Sequence, residues 1–208
     1  MAALETEIEI SSPRRAAWRG GLPTLANDRV MLRELRLPDA ASLYRVLCSP
    51  DVSRYMWPAP SSVGAFERFI EWTWTERAAG KYICFGIVPR GATGAAGLFE
   101  LRQMQPGFFR AELGFFVDPA AWGTGLFFDA AGLLLDYAFR VIGVHRIEAR
   151  AAVDNVRSNA ALRRLNARRE GTLRAAFVCE GKLVDQHLWA IVRGLDGEWP
   201  QALRECQP

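Results

Sequence analysis

The chain has 208 residues, half of them hydrophobic, which is enough to bury a sizeable core and favours one domain. Its 26 basic and 23 acidic residues leave a formal charge of +3, too small an excess to indicate a nucleic-acid partner. Four scattered cysteines without a Cys-x-x-Cys pair or a histidine cluster predict reduced, mostly buried thiols and no metal site.

No apolar run approaches the roughly 20 residues that span a bilayer, and the opening residues MAALETEIEI lack a basic segment followed by an apolar one. We therefore expect a cytoplasmic protein without a membrane partner. Residues 1–23 mix Ser, Pro, Arg and Gly without a sustained period and predict a flexible leader. A single domain is expected over residues 24–193, followed by a C-terminal tail over 194–208.

The first half of this domain predicts a strand and two helices. In DRVMLREL, Val30 and Leu32 alternate with outward residues that include Arg33, a pattern typical of a strand. LPDAASLYRVLC predicts a helix with Pro38 in its first turn. After a Pro-rich connector, SVGAFERFIEWTWTERAAGK repeats apolar residues at helical spacing and ends at Gly80.

The second half predicts a sheet interrupted by two helices. YICFGIV, GAAGLFELRQM and FRAELGFFV are β-type runs separated by turn residues, which indicates an antiparallel meander. A long apolar helix starts at Leu126, and HRIEARAAV and NVRSNAALRRLNARRE predict a strand and a helix. The last run, TLRAAFVCEGKLVDQHLWAIV, predicts a hairpin turning at Glu180 and Gly181. The fold class is α+β: a mixed, mostly antiparallel central sheet flanked by helices on both faces.

The segment DPAAWGTGLFF places two glycines, Gly123 and Gly125, between a strand and a helix. The first backbone N–H groups of a helix are unpaired and carry partial positive charge, so glycines there let an anion approach closely. The turn suits a phosphate group. An ordinary tight connection between strand and helix also uses glycine, and the turn alone does not separate the two interpretations.

Three motifs and the order of elements together resemble the GNAT acetyltransferase superfamily, most closely its RimJ/RimL-like branch of ribosomal-protein N-terminal acetyltransferases. The motifs are AELGFFVDP leading into WGTG, the N-x-x-S of Asn155 and Ser158, and LNARREGTLR. The resemblance covers roughly residues 24 to 192. Two positions depart from the branch: Ala120 stands where Gln or Arg is frequent, and Asn166 stands where Gly is frequent. The phosphate grip is expected to come mainly from backbone amides, so the loss of one side chain at Ala120 does not remove it. Asn166 can adopt the left-handed conformation that a helix-ending Gly would use.

The resemblance implies transfer of the acetyl group of acetyl-CoA to a primary amine, on a protein N-terminus or a small molecule, by direct attack in a ternary complex. Together with the tryptophans of FIEWTW and YMWP, it also predicts a homodimer. A non-catalytic acyl-CoA-binding sensor on the same fold is the alternative. The residues implied in acetyl-CoA binding are Phe116, Val117, Trp122, Gly123, Thr124, Gly125, Leu126, Asn155, Arg157 and Ser158.

The same resemblance implies candidates for the chemistry. Ser158 is the candidate acid for the departing thiolate, with a helix cap as the competing role. Asn155 is expected to bond the pantetheine amides, or else to form an Asx turn. Glu112 is the leading candidate for the base and Glu100 the second, while His145 and His187 rank lower. The predicted acceptor-binding residues are Met56, Trp57, Glu100 and Asp185.

Overall fold

A computed structural model describes residues 17–56 and 59–193 and contains one eight-stranded sheet with the order β1-β2-β3-β4-β5-β6-β8-β7. All neighbouring strands are antiparallel except β5 and β6, which are parallel. The strands are β1 (Leu25–Ala26), β2 (Val30–Glu34), β3 (Tyr82–Pro89), β4 (Gly97–Gln103), β5 (Arg110–Val117), β6 (Arg146–Ala152), β7 (Arg168–Cys179) and β8 (Lys182–Val192).

Five α-helices accompany the sheet in the described residues. They are α1 (Asp39–Leu47), α2 (Pro50–Ser53), α3 (Val63–Ala78), α4 (Leu126–Asp136) and α5 (Val156–Arg164). A π-helical turn, Tyr137–Ile142, continues α4. None of the described helices combines the length and the hydrophobicity needed to cross a membrane.

Two hydrophobic clusters lie on opposite faces of the sheet. One contains Leu43 of α1 and Phe66 and Ile70 of α3. The other contains residues of α4 and α5, including Leu134 and Leu162. Helices therefore cover both faces, which confirms the predicted fold class, and the predicted meander β3-β4-β5 and the hairpin β7-β8 are present. The hairpin turns at Glu180 and Gly181, both with positive φ, at +51° and +76°.

The chain is ordered earlier than the composition of its first residues suggests. Residues Ala17–Gly20 form a 3-10 turn, and Trp18 is buried in an edge-to-face contact with Phe108. The predicted start of the domain at residue 24 lies seven residues after Ala17, where the described structure begins. Residues 1–16 and the predicted tail 194–208 lie outside the described part of the chain, and their assignment stays a prediction.

Two side-chain expectations were wrong. Arg33 was expected to point outward, but it is only 5% exposed because its guanidinium donates to both oxygens of Asp39, at 2.7 and 2.8 Å. A paired charge can be buried where a lone one cannot. Of the three described cysteines only Cys84 is buried; Cys48 is exposed and Cys179 is half-buried.

Strands β5 and β6 diverge soon after they begin. Their parallel pairing covers only Arg110–Glu112 against Arg146–Glu148. Hydrogen bonds alternate along an antiparallel pair, and the Asp118 N–H at the end of β5 donates to the Ala96 carbonyl on the β4 side. The amides of Phe115 and Val117 therefore point away from β4, into the gap between β5 and β6.

Candidate active site

A cleft of about 1220 Å³ opens where β5 and β6 diverge. Its walls come from β4, β5 and β6, the glycine turn, α5 and the loop after α2. The sequence-predicted site residues that line it are Met56, Glu100, Glu112, Phe116, Val117, Trp122, Gly123, Thr124, Gly125, Asn155, Arg157 and Ser158. Residues that are far apart in the chain thus meet in one cavity.

Two predicted residues that the structure describes, Leu126 and Asp185, do not line this cleft. Trp57 lies outside the described residues. Leu126 is buried in the core beneath the glycine turn. Asp185 accepts a hydrogen bond from the Ala175 N–H at 2.8 Å, where β7 carries a register shift, so its carboxylate stabilises the hairpin instead of facing the cleft.

The glycine turn has a backbone that side-chain-bearing residues rarely adopt. Gly123 and Gly125 have φ of +76° and +89°. At Gly123 a Cβ atom would meet nothing within 4 Å, so the conformation and not the lack of space requires glycine there. Trp122 stabilises the turn by donating from Nε1 to the Val117 carbonyl at 3.1 Å, and Thr124 Oγ1 donates to Ala121 at 2.7 Å.

Unpaired amides mark this turn as an anion site. Within the described residues, the N–H groups of Gly123, Gly125 and Phe127 form no hydrogen bond, and all three residues line the cleft. They sit at the amino end of α4, where the helix dipole adds partial positive charge. The arrangement fits a pyrophosphate group.

Arg29 holds the turn from the outside, a contact that sequence reasoning missed. Its Nη2 donates to the Thr124 carbonyl at 2.6 Å, and its Nη1 lies 2.9 Å from the Asp129 carboxylate. Arg29 precedes β2 by one residue and lies 95 positions before Thr124. No local sequence signal indicates such a distant pair.

Asn155, and not Ser158, caps helix α5. The Asn155 Oδ1 accepts the Ser158 N–H at 3.0 Å. Within the described residues the Ser158 hydroxyl has no hydrogen-bond partner, and it faces the cleft. The capping role that competed with a catalytic role for Ser158 therefore belongs to its neighbour, while the side-chain amide of Asn155 is left to face a ligand.

Asn159 anchors the start of α5 and was not singled out from the sequence. Its Nδ2 donates to the carbonyls of Ala152 and Asn155, each at 2.9 Å, and its Oδ1 accepts from Trp189 Nε1 at 2.9 Å. A buried amide with every bond made specifies one position for the helix. The position of Ser158 thus depends on β6 and β8 together.

Two arginines of α5 border the cleft. The Arg157 guanidinium lies 3.8 Å from the centre of the Trp122 ring, and that of Arg164 lies 3.9 Å from the centre of the Phe128 ring. Arg164 was missed, although it stands two helical turns after Arg157 and therefore on the same face. Both cations are held near the unpaired amides by aromatic contacts.

Glu100 lies in the cleft wall on β4, directly opposite Gly114 of β5. The Tyr82 hydroxyl donates to its carboxylate. Burial raises the pKa of Glu100 above its ordinary value, although the Tyr82 hydrogen bond opposes that shift. Burial also raises the pKa values of the neighbouring Tyr82 hydroxyl and Cys84 thiol, so both remain protonated near neutral pH. Glu100 therefore binds a proton more readily than an exposed glutamate does.

Glu112 occupies a different setting at the point where β5 and β6 separate. It forms an ion pair with Arg102, and its Oε1 lies 3.5 Å from Arg150 Nε. The two guanidinium groups occupy its oxygens. Neither predicted histidine lines the cleft: His145 stacks on Phe109 at 4.9 Å, and His187 Nδ1 lies 3.1 Å from Thr172 Oγ1.

The loop after α2 closes one end of the cleft. Tyr55 donates from its hydroxyl to the Asp154 carbonyl at 3.2 Å, reaching across to the start of α5. Arg54 lies 3.6 Å from Glu180 at the tip of the β7-β8 hairpin, and the Cys179 thiol donates to the Arg54 carbonyl at 3.3 Å. Met56 follows these contacts and lines the cleft.

Comparison with known proteins agrees with this geometry. Residues 29–168, most of the chain, match the family model described as acetyltransferase (GNAT) domain. This chain belongs to the GNAT acetyltransferase family. It is therefore an acetyl-CoA-dependent acetyltransferase, and the superfamily inferred from the three sequence motifs is confirmed.

Among its relatives, the acetyltransferase is 27% identical over 173 residues to an uncharacterized N-acetyltransferase, p20, of Bacillus licheniformis, covering 83% of this chain and 97% of the relative. A crystal structure of a probable GNAT-family acetyltransferase from Chromobacterium violaceum superposes with a TM-score of 0.71 at 30% identity, covering 91% and 96% of the two chains. Mycobacterium smegmatis RimJ in complex with CoA-disulfide superposes with a TM-score of 0.73 at 23% identity, covering 88% and 90%.

Proposed function

We propose that the enzyme transfers the acetyl group of acetyl-CoA to a primary amine, on a protein N-terminus or a small molecule, by direct attack in a ternary complex. The observation that carries this proposal is the meeting of the unpaired amides of the glycine turn with Ser158 and Glu100 in one cleft. The amides suit the pyrophosphate of the donor, and the two side chains suit the two proton transfers that the reaction needs.

Acetyl-CoA is proposed to lie along the gap between β5 and β6. The amides of Gly123 and Gly125 would hold the pyrophosphate, and Arg157 and Arg164 would neutralise its charge. The side-chain amide of Asn155 would bond the pantetheine arm. The resemblance to the RimJ/RimL-like branch supports this assignment, since the M. smegmatis RimJ that shares the fold is in complex with CoA-disulfide.

Amine attack on the thioester places negative charge on the acetyl oxygen and then on the departing sulfur. The amides of Phe115 and Val117, directed into the gap, are the proposed donors to the oxygen. Ser158 is the proposed donor to the thiolate, since its hydroxyl is free of protein hydrogen bonds within the described residues. Once it has lost its proton, the hydroxyl can regain one from solvent in the cleft.

The acceptor must lose a proton before it attacks, because an amine near neutral pH is mostly ammonium. The sequence ranked Glu112 first for this role and Glu100 second. We propose the reverse order: Glu112 is engaged by Arg102 and Arg150, whereas Glu100 is half-buried, is hydrogen-bonded by Tyr82 and has a raised pKa. The proton of the acceptor then passes to Glu100, directly or through a water molecule.

A non-catalytic acyl-CoA sensor is the competing function. A sensor requires the glycine turn and the arginines of α5, but it does not need a free hydroxyl and a half-buried carboxylate in the same cleft. Release of free CoA thiol from acetyl-CoA, measured across a panel of peptides and small amines, separates the two functions. Gly125→Val is the matched control, because a β-branched residue is strained at φ of +89° and should abolish both CoA binding and turnover. Calorimetric binding of CoA without thiol release for any amine would favour the sensor.

The predicted homodimer and cytoplasmic location stay predictions. Trp72 of FIEWTW is 46% exposed on α3, where it contacts Phe69 and Tyr82. An exposed tryptophan of this kind is compatible with a protein contact but does not specify one. Sedimentation of the purified enzyme gives the oligomeric state directly.

A further inference from the structure

Three charged side chains meet at the point where β5 and β6 separate, and together they carry an excess positive charge. Arg102 of β4 is in register with Glu112 of β5, and Glu112 is in register with Glu148, two residues before Arg150 on β6. Glu112 pairs with both arginines. Among these three side chains two guanidinium groups face one carboxylate, and all three residues line the cleft. Glu100, the carboxylate proposed to receive the acceptor amine, is the next charged group on that face of β4 and interacts with Arg102.

The guanidinium groups are open to the cleft, whereas the carboxylate is not. The side chains of Arg102 and Arg150 are 60% and 40% exposed, against 18% for Glu112. A guanidinium has five N–H donors, and Glu112 engages only one nitrogen of each. The carboxylate therefore orients the two arginines and leaves most of their donors available to a ligand.

A neighbouring cluster of charged side chains contains equal numbers of basic and acidic residues, so an excess of arginine is not general in this sheet. Arg110 and Arg146 are balanced by Glu148 and Glu170: Arg110 donates to both oxygens of Glu148 at 2.6 and 2.8 Å, and Arg146 pairs with Glu148 at 2.7 Å and also with Glu170. Two cations there meet two anions. The unbalanced cluster is the one that lies in the cleft.

We propose that Arg102 and Arg150 bind an anionic group, a carboxylate in the first instance, on the same molecule as the acceptor amine. This inference rests on the proposed acetyl transfer and narrows its acceptor. The paired N–H donors of arginine match the two oxygens of a carboxylate. A polyamine or a lysine-rich peptide would instead meet repulsion from the unbalanced charge.

The spacing limits the distance between amine and anion. Glu100 and Arg102 are two residues apart on one face of β4, and two residues of a strand advance about 7 Å. The amine at Glu100 and the anion at Arg102 therefore belong to one small molecule, such as an amino acid, or to the first residue of a peptide. An ionised Glu100 meets the ammonium group of the bound acceptor, so the two arginines are left to the anionic group.

Two matched pairs of probes test the proposal and distinguish a small-molecule acceptor from a peptide acceptor. The small-molecule pair is 4-aminobutyrate and 4-aminobutanamide. The peptide pair is Asp-Ala-Ala-Ala and Asn-Ala-Ala-Ala, both C-terminally amidated. Within each pair, only one member carries the carboxylate. Calorimetric titration into the enzyme–CoA complex measures affinity, and release of CoA thiol from acetyl-CoA measures turnover.

We expect the carboxylate-bearing member of at least one pair to bind about tenfold tighter than its amide, the effect of one favourable charged hydrogen-bonding contact. The pair that shows the preference identifies the source. Arg150→Gln should reduce the ratio of the affinity for the carboxylate-bearing member to the affinity for its amide. The double variant Arg102→Gln/Arg150→Gln should bring this ratio close to one. Arg90→Gln, at an exposed arginine outside the cleft, should leave it intact.

Equal binding of both members in both pairs, or a preference that persists in the double variant, would overturn the proposal. Selective binding without turnover would leave the anion site standing and count against the transfer reaction. The two proposals therefore fail on different measurements. Higher salt should also lower the ratio, because the two arginines are exposed.

Discussion

Glu100 occupies the space that a side chain at Gly114 would need. A Cβ atom at Gly114 would lie 2.8 Å from both Cγ and Cδ of Glu100, closer than such atoms approach in proteins. The glycine on β5 thus lets the carboxylate on β4 lie flat against the sheet, beside the Tyr82 hydroxyl. The position of the proposed base, Glu100, therefore depends on the lack of a side chain at Gly114.

Gly114→Ala is expected to displace the Glu100 carboxylate while the fold is kept, because the crowded atoms belong to the outer end of a flexible side chain. A misplacement of about 1 Å at a reacting group costs on the order of 100-fold in rate. Turnover and a thermal melt, measured side by side, check this expectation. Gly132→Ala on α4, where a Cβ atom meets nothing within 4 Å, is the control and should leave turnover unchanged. Full activity in Gly114→Ala would mean that the position of Glu100 is unimportant.

The pH dependence of the rate identifies the base. Since burial raises the pKa of Glu100, the wild-type rate should fall with decreasing pH at values above the ordinary glutamate range of about 4.3. Glu100→Gln should lower the rate near neutral pH by about 10²- to 10⁴-fold, the usual contribution of a general base. In this variant the rate should no longer fall with the titration of Glu100 at low pH. The lost rate should be partly recovered as rising pH deprotonates the free amine.

Glu112→Gln is the matched comparison for that profile. It removes the same charge from the same face of the sheet, but we expect it to keep the fall in rate at acid pH and to change the affinity for the acceptor, because Glu112 orients Arg102 and Arg150. If Glu112→Gln abolished the fall in rate at acid pH while Glu100→Gln kept it, Glu112 would be the base, as the sequence alone predicted.

Ser158→Ala is expected to lower turnover by about 10- to 1000-fold through loss of the proton donor and to leave stability nearly unchanged. The reason is that Asn155, and not Ser158, caps α5. Asn155→Ala, in contrast, should lower the free energy of unfolding by about 1 kcal/mol, because it removes the helix cap. Urea unfolding and a rate measurement on each variant distinguish them. A stability loss in Ser158→Ala with an unchanged rate per folded molecule would reduce Ser158 to a structural residue.

The buried pair of Arg33 and Asp39 should make the fold sensitive to acid. Burial by itself would raise the pKa of Asp39, but hydrogen bonds from Arg33 and from the Arg36 amide outweigh it and hold the pKa below the usual value. A lowered pKa in the folded state contributes stability above the unfolded pKa of about 3.9, which is lost as pH falls through the folded value.

Asp39→Ala should therefore cost about 3–5 kcal/mol at neutral pH, since it leaves the Arg33 guanidinium buried without its partner. The unfolding free energy from denaturant titrations between neutral and acid pH measures both effects. Arg45→Gln on the exposed side of α1 is the control and should change stability by no more than about 0.5 kcal/mol. An Asp39→Ala variant with the wild-type slope of stability against pH would contradict the assignment.

The sequence by itself determined the fold class, the order of most elements and the place of the glycine turn. These properties are local: alternation predicts strands, apolar spacing predicts helices, and the glycines of WGTG stand where a strand meets a helix. For the same reason Ser158 and Asn155 could be placed at the start of a helix. Local patterns depend on neighbouring residues alone, and the printed sequence contains all of them.

Tertiary structure alone decided which side chains share an environment. Arg33 appeared as an outward strand residue because its partner belongs to the next element, and Trp18 appeared as part of a leader because Phe108 lies 90 positions away. The order of Glu112 and Glu100 changed for the same reason: strand alternation places both on one face, but only the packing of β3, β4, β5 and β6 puts two arginines on Glu112 and a tyrosine on Glu100. Proton affinity follows burial and nearby charge, and both are set by residues distant in the chain.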